Sequence, residues 1–195
     1  MCANELGTCG VHVLATARAP PSESIQASPF VKVHKDKLTV TYSAKGNHSN
    51  DVGAVQANRA FSHNVLIGYF EMTIINQGER ACMAIGLSNT DFKNTRHPGW
   101  EPGSYGYHGE DGRKFMNHSR GEPYAVKFGA VDDVIGCGLN FATREIFFTK
   151  NGKYLGTAFT DPSHSYYPTV SLHSAGEEVR INFGLFSQSP LYSEF

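Results

Sequence analysis

The stretch EIFFTKNGKYLG, residues 145–156, decides the fold. Glu145-Ile146-Phe147-Phe148-Thr149-Lys150 is a short run rich in β-branched and aromatic residues, and residues 153–159 form a second one. Between them stands Asn151-Gly152, the strongest short hairpin signal in the chain. A two-residue type I′ turn needs positive φ at both central positions, and Asn-Gly supplies it at the least steric cost. Working outward, Ala142-Thr143-Arg144 turns back into an apolar run at residues 134–141, and Asp132-Asp133 opens that run as a solvated turn. Residues 167–172 and 178–183 add two more strands. In residues 67–75, Tyr69, Glu71 and Thr73 alternate with Phe70, Met72 and Ile74, so the two sets take opposite faces of a strand. The run at 81–87 is almost continuously apolar and reads as a central strand, buried on both faces.

Nearer the N-terminus, Val31-Lys32-Val33-His34 and residues 38–42 flank the turn Lys35-Asp36-Lys37 as a hairpin. A polar loop follows at 43–51, then a short strand at 54–57. A long loop at 88–103 precedes strands at 104–108 and 114–116, which flank Glu110-Asp111-Gly112, and another loop covers 117–128. No run carries a convincing 3.6-residue period. Many strands at short spacing imply an all-β sandwich or barrel. Residues 1–28, with the linker composition Ala19-Pro20-Pro21-Ser22-Glu23-Ser24, read as a flexible extension dispensable for folding. The domain is expected over 29–185 and a tail over 186–195.

Seventeen Lys and Arg nearly balance eighteen Asp and Glu, without a basic stripe, so a nucleic-acid partner is not indicated. No segment approaches a membrane span in length. Cys2, Cys9, Cys82 and Cys137 form no CxxC pair, which argues against a zinc site. Cys82 and Cys137 lie in apolar runs and read as small core residues in a reducing, cytoplasmic and also nuclear, setting. His97, His108 and His118 cluster near Glu110 and Asp111, but their spacing offers no convergent ligand set, so no metal, cofactor or catalytic residue is expected. Glu177-Glu178 reads as a pair of exposed strand charges. Trp100, the only tryptophan, stands between Gly99 and Pro102. It is either a core plug or the anchor of a binding surface, since Trp offers a large contact area with few rotors to freeze.

Several spaced motifs occur in order: Gly68-Tyr69-Phe70-Glu71, Ala84-Ile85-Gly86-Leu87, Pro98-Gly99-Trp100 with Ser104-Tyr105-Gly106-Tyr107-His108, Asp133-Val134-Ile135-Gly136-Cys137-Gly138, Phe147-Phe148-Thr149-Lys150-Asn151-Gly152 and Tyr167-Pro168-Thr169-Val170. Over about residues 30–185 the chain resembles the SPRY domain, the core of the B30.2 family. Its PGW-x-x-x-SYGYHG-x-DG and FFTKNG wording is similar to the Ran-binding protein M subgroup. His173-Ser174-x-Gly176-Glu177-Glu178-Val179 is also similar to SPRY domain-containing protein 3.

The resemblance implies a bent, concanavalin A-like sandwich of two antiparallel sheets. It also implies a non-enzymatic module that binds a protein or short peptide through loops at one edge. Relatives of Ran-binding protein M are scaffold subunits of the CTLH ubiquitin ligase, so CTLH-type subunits are implied partners. Carried over by position, the peptide site falls on Tyr42, Ala44, Asn89, Trp100, His173 and Ser174. The family's best-known peptide binders usually have Arg where Tyr42 falls and Trp where Ser174 falls, so the pocket's place carries over better than its specificity. A rival reading is a lectin-like sandwich that binds sugars or other small ligands on its loop aromatics. Loop-borne metal-ligand carboxylates and Asn, which a lectin would usually show, are not visible.

Overall fold

The computed structural model describes residues 25–160, 162 and 165–183. Fourteen strands occur among them: β1 Ile25–Ala27, β2 Val31–Val33, β3 Thr39–Tyr42, β4 Gly53–Ala57, β5 Ile67–Gln77, β6 Met83–Ser88, β7 Ser104–His108, β8 Arg113–Met116, β9 Glu122–Pro123, β10 Val134–Asn140, β11 Glu145–Lys150, β12 Lys153–Thr160, β13 Tyr167–Leu172 and β14 Glu177–Asn182. Two seven-stranded antiparallel sheets result. One runs β1-β4-β13-β6-β7-β8-β9 and the other β12-β11-β10-β5-β14-β3-β2. The described residues contain no helix.

The hairpin at 145–156 forms as its residues dictate. Asn151 and Gly152 take φ of 51° and 77°, and Lys150 faces Lys153 across the turn. Asn151 also ties the turn to β10, accepting from Val134 N (2.8 Å) and donating to Asp133 Oδ1 (3.2 Å). Asp133 is therefore not the solvated turn residue that its sequence suggests. It is nearly buried and paired with Lys150 Nζ at 3.0 Å. Burial works against its charge, but Lys150, Gly129 N–H and Asn151 outweigh burial and hold the carboxyl below its usual range.

Alternation sorts the core as expected. Phe70, Met72 and Ile74 of β5 face inward without exposure, while Tyr69 on the opposite face bonds Glu71 and Thr149. β6 is the middle strand of its sheet and is buried along its whole length. The inward faces meet in one cluster that includes Phe70, Met72, Ile85, Tyr107, Phe148 and Leu172. Each such fully buried apolar side chain contributes roughly 1.5–3 kcal/mol.

The N-terminal boundary differs from the sequence reading. Ile25–Ala27 pairs with β4, Ile25 opposite Ala57 and Ala27 opposite Val55, and Ser28 is buried with its hydroxyl on Val52 O. A three-residue edge strand with one large apolar side chain leaves little periodicity to detect. Among the described residues the sheet thus already includes 25–27, so Ile25–Ser28 are part of the sandwich rather than of the extension expected from the sequence. The expectations for residues 1–24 and for the 186–195 tail lie outside the described residues.

Cys137 is fully buried on β10, and burial pushes its thiol well above the usual range. In the native protein it is expected to resist a thiol reagent and to react only on global unfolding, read by mass spectrometry of the peptide that carries it. Labelling at a rate faster than unfolding would contradict its place in the core.

Candidate functional site

The site is built over the outer face of β6 and β7. On β7, Tyr105 and Tyr107 point into the sandwich, so Ser104, Gly106 and His108 point outward. The 89–103 loop lies down on that outward face. Gly106 permits the contact, because a Cβ there would stand 2.0 Å from Pro98 O. Two bonds fasten the loop: Gly99 N–H to Ser104 Oγ (2.8 Å) and His108 Nε2–H to Pro98 O (2.9 Å). Gly99 has φ of 92°, a conformation that side-chain-bearing residues rarely adopt.

This seat fixes Trp100. Its ring is half-buried and meets His97 edge-on at 4.7 Å, with His108 at 5.8 Å and Phe115 at 6.5 Å between ring centroids. The Arg96 guanidinium lies 5.6 Å from the ring centroid. Arg96 also pairs with Glu101 (3.0 Å) and donates to Ser49 O and Asn50 Oδ1, linking the indole to the 43–52 loop. The Trp100 Nε1–H is buried and has no hydrogen-bond partner among the described residues. Trp100 is thus neither a core plug nor a free-standing anchor. One side belongs to the interior and the other faces out.

Beside it, the turn after β13 carries His173 and Ser174. The buried Glu177 carboxylate gathers three backbone N–H groups, from Cys82, His173 (2.7 Å) and Ser174 (3.0 Å). Glu177 is not an exposed strand charge: it shares strand parity with Val179 and Ile181, and its side chain is fully enclosed. Burial pushes its carboxyl up to about 7, against the three N–H donors and Arg80, which favour the charged form. His173 Nε2 bonds Asp51 Oδ1 (2.7 Å) and His48 O (3.0 Å). Burial opposes the Asp51 charge, yet His173 and the Asn47 and His48 N–H groups hold it low.

Of the six residues expected to form a peptide site, the structure draws together Tyr42, Ala44, Trp100, His173 and Ser174. Rings connect them in the order Tyr42–His173 (6.3 Å), His173–His97 (5.6 Å) and His97–Trp100 (4.7 Å). Tyr42 backs the site rather than lining it. It shares parity with Val40, is buried and donates to Asp51 O (2.7 Å), and its hydroxyl is pushed up to about 12, chiefly by burial and by Asp51. Ser174 is fully buried and accepts from Arg80 N–H (3.0 Å). Half-buried Ala44 begins the loop whose Gly46 abuts the His173 carbonyl, and Arg80 Nη2 bridges Gly46 O and His173 O. Asn89 is set apart. It follows the far end of β6, packs on Gly103 and bonds its carbonyl through N–H (2.9 Å).

Sequence reasoning missed Cys82 as a site residue. It is buried, as its apolar run suggests, but it stands just before β6, and its thiol donates to Glu110 Oε2 at 3.1 Å. Burial and then Glu110 raise its pKa. His97 Nε2 and His173 Nδ1 stand 4.0 and 3.9 Å from its sulfur. The ligand-capable atoms of Cys82, His97 and His173 all lie within 4.8 Å of one another. The three histidines neighbouring in sequence do not converge in this way. His108 is committed to Pro98 O and stacked on Phe115 at 3.9 Å, and His118 is exposed. Burial, then His108, His173 and Arg96, hold His97 well below the usual histidine range, and burial takes His108 down to about 4.

The SPRY domain family model matches residues 67–186. The Ran-binding protein M homolog of Arabidopsis thaliana is 44% identical over 158 residues, covering 81% of this chain and 34% of that protein. The Ran-binding proteins 9/10 homolog of Drosophila melanogaster is 41% identical over 154 residues, covering 79% of this chain and 16% of that one. The chain therefore spans about a third or less of the length of these relatives. A crystal structure of a human SPRY domain superposes with a TM-score of 0.71 at 31% identity, covering 84% of this chain and 99% of its own. The SPRY domain of human HERC1 shares the fold, with a TM-score of 0.65 at 21% identity, over 83% and 96% of the two chains. With a match across more than half its length and a sandwich that superposes on a solved example, the chain belongs to the SPRY domain family.

Proposed function

We propose that this SPRY domain is a non-enzymatic protein-interaction module that receives a short extended segment of a partner at the edge lined by Ala44, Trp100 and His173, with Tyr42 and Ser174 behind them. The observation that carries the reading is the preparation of Trp100. A half-exposed indole, seated on His97 and flanked by Arg96, is already ordered before a ligand arrives, which lowers the entropic cost of binding. Around it stand an imidazole and the backbone of three loops, the sparse polar frame that orients a peptide. A ligand that also reached Asn89 would have to run about 20 Å, the length of β6, or about six more extended residues.

The polar groups nearby support a binding role over catalysis. The Cys82 thiol faces a carboxylate, which disfavours the thiolate a nucleophile needs. Glu177 is occupied by backbone donors and His108 by a carbonyl. Assembly with CTLH-type ubiquitin-ligase subunits, in the cytoplasm and nucleus, is part of the proposal. It is motivated by the similarity to the Arabidopsis Ran-binding protein M homolog.

The test is to capture a partner with the domain, map its segment on a peptide array, and measure the affinity of that peptide. Trp100→Ala is expected to weaken binding about thirtyfold, roughly 2 kcal/mol. Because the ring is half-buried, the same change should also cost about 1–3 kcal/mol of stability, so binding is measured far below the melting temperature. Tyr154→Ser, on the exposed face of edge strand β12, should leave affinity unchanged. Equal affinity of the Trp100→Ala variant would place the interaction elsewhere. A thermal shift with calcium or sugars, and none with the peptide, would favour the lectin-like reading.

A further inference from the structure

We propose that Cys82, His97, His173 and Glu110 form a zinc site that joins four separate segments at the rim of the sandwich. Cys82 stands just before β6, His97 in the 89–103 loop, Glu110 in the β7–β8 turn and His173 just after β13. Cysteine sulfur and imidazole nitrogen with one carboxylate is a donor set for zinc rather than for calcium or magnesium, which take oxygen. A tetrahedral zinc, with Zn–S about 2.3 Å and Zn–N about 2.0–2.1 Å, spaces its ligand atoms about 3.5 Å apart. Here the sulfur lies 4.0 Å from His97 Nε2, 3.9 Å from His173 Nδ1 and 3.1 Å from Glu110 Oε2. The two sulfur-to-nitrogen spacings are thus within about half an ångström of that value, and Cys82, His97 and His173 are mutually within 4.8 Å, while Glu110 lies outside that set and completes the tetrahedron by turning its exposed side chain.

The surroundings of the two rings point the same way, independently of those spacings. His173 Nε2 faces only acceptors, Asp51 Oδ1 and His48 O, so it carries the ring proton. Its Nδ1 lone pair is left toward Cys82. Asp51 is in turn held by the N–H groups of Asn47 and His48. A carboxylate that orients a histidine from behind is the usual outer support of a zinc ligand. On the other ring, Ser171 Oγ holds His97 Nδ1 at 2.7 Å, which leaves Nε2 toward the sulfur. On binding, the Cys82 S–H bond breaks, a sulfur–zinc bond forms and the proton leaves to solvent. The thiolate and the Glu110 carboxylate then balance the charge of the ion. Four protein ligands close the coordination sphere, so the role is structural. The proposal does not depend on the peptide-binding reading.

The test uses the domain with Cys2 and Cys9 replaced by serine, stripped by chelator under reducing conditions and titrated with zinc chloride alone or cobalt(II) chloride alone. One zinc per chain, a proton released with it and a rise in melting temperature are expected. Cobalt should give tetrahedral ligand-field bands and a thiolate-to-cobalt charge-transfer band. Cys82→Ser should remove the charge-transfer band and the stoichiometric site, and His118→Ala should leave both. Asp51→Asn keeps every ligand and should weaken zinc binding roughly 10- to 100-fold, which provides a reading even if Cys82→Ser does not fold. A folded protein that takes up no stoichiometric zinc overturns the proposal. So does uptake that Cys82→Ser or Asp51→Asn leaves unchanged.

Discussion

Glu177→Ala is expected to lower the melting temperature by roughly 10 °C at about pH 5, a loss of about 4 kcal/mol. The carboxyl group accepts from three N–H groups, those of Cys82, His173 and Ser174, and it lies fully inside the protein. Alanine would leave those donors without a partner, at about 1–3 kcal/mol each, partly relieved by water entering the gap. The pH dependence has a definite sign. Burial lifts the folded-state pKa from 4.5 to about 7, so between those values the folded protein binds the proton more tightly than the unfolded chain. The stabilisation from that proton is complete below about pH 4.5 and is lost as pH rises through about 7. Its size is about 3 kcal/mol. The gap between wild type and Glu177→Ala should therefore narrow with rising pH, to about 1 kcal/mol at about pH 8. Urea unfolding of both proteins across this range provides the measurement. A gap that widens with pH would mean that the three donors, not burial, govern the carboxyl.

Gly106→Ala should cost about 3 kcal/mol or more, although it adds one methyl group. The new Cβ would sit 2.0 Å from Pro98 O and 2.7 Å from Pro98 C. Both are backbone atoms, held by His108 and by the Gly99–Ser104 bond, so no side chain can swing aside. Pro98 must retreat by more than about 1 Å to restore van der Waals contact. Trp100 then leaves its seat on His97. As the sole tryptophan, it reports this directly through its fluorescence, which should shift toward that of a solvated indole. Gly152→Ala is a suitable comparison. Nothing lies within 4 Å of its added Cβ, but φ of 77° makes the residue strained, so a smaller loss of about 1 kcal/mol and unchanged emission are expected. Unchanged melting and emission for Gly106→Ala would show that the loop does not depend on this contact.

Much of the fold could be read locally because each signal was local. Asn151-Gly152 sets its own φ angles, and Phe70, Met72 and Ile74 declare their face by alternation. The same alternation already held two corrections. Tyr42 shares parity with buried Val40, and Glu177 with buried Val179 and Ile181. The family resemblance put Tyr42 on the binding surface and its charge put Glu177 outside, while position required burial of both, and position won because hydrogen bonds to Asp51 O, Cys82, His173 and Ser174 satisfy the polar atoms. The Cys82 cluster was not legible in this way. Its histidines lie 15 and 91 residues from the cysteine, and only the pairing of β6 with β7 and β13 brings them together. A search for closely spaced ligands tests one way of building a site and overlooks those assembled by a sheet.

The strand order also has a consequence for how the protein is made. β13 lies between β4 and β6, and β14 lies between β5 and β3. On a ribosome that releases the chain from its N-terminus, each sheet is therefore interrupted until residues 167–182 emerge. Until then, β4 and β6 cannot be joined through β13, nor β3 and β5 through β14, and the nascent chain carries four open strand edges together with the apolar face of β6. Such edges invite pairing with other chains. The closing contacts also span large sequence separations, which slows their formation. Nascent protein therefore has a vulnerable interval that ends late, and chaperone demand should be greatest for chains stalled before residue 167.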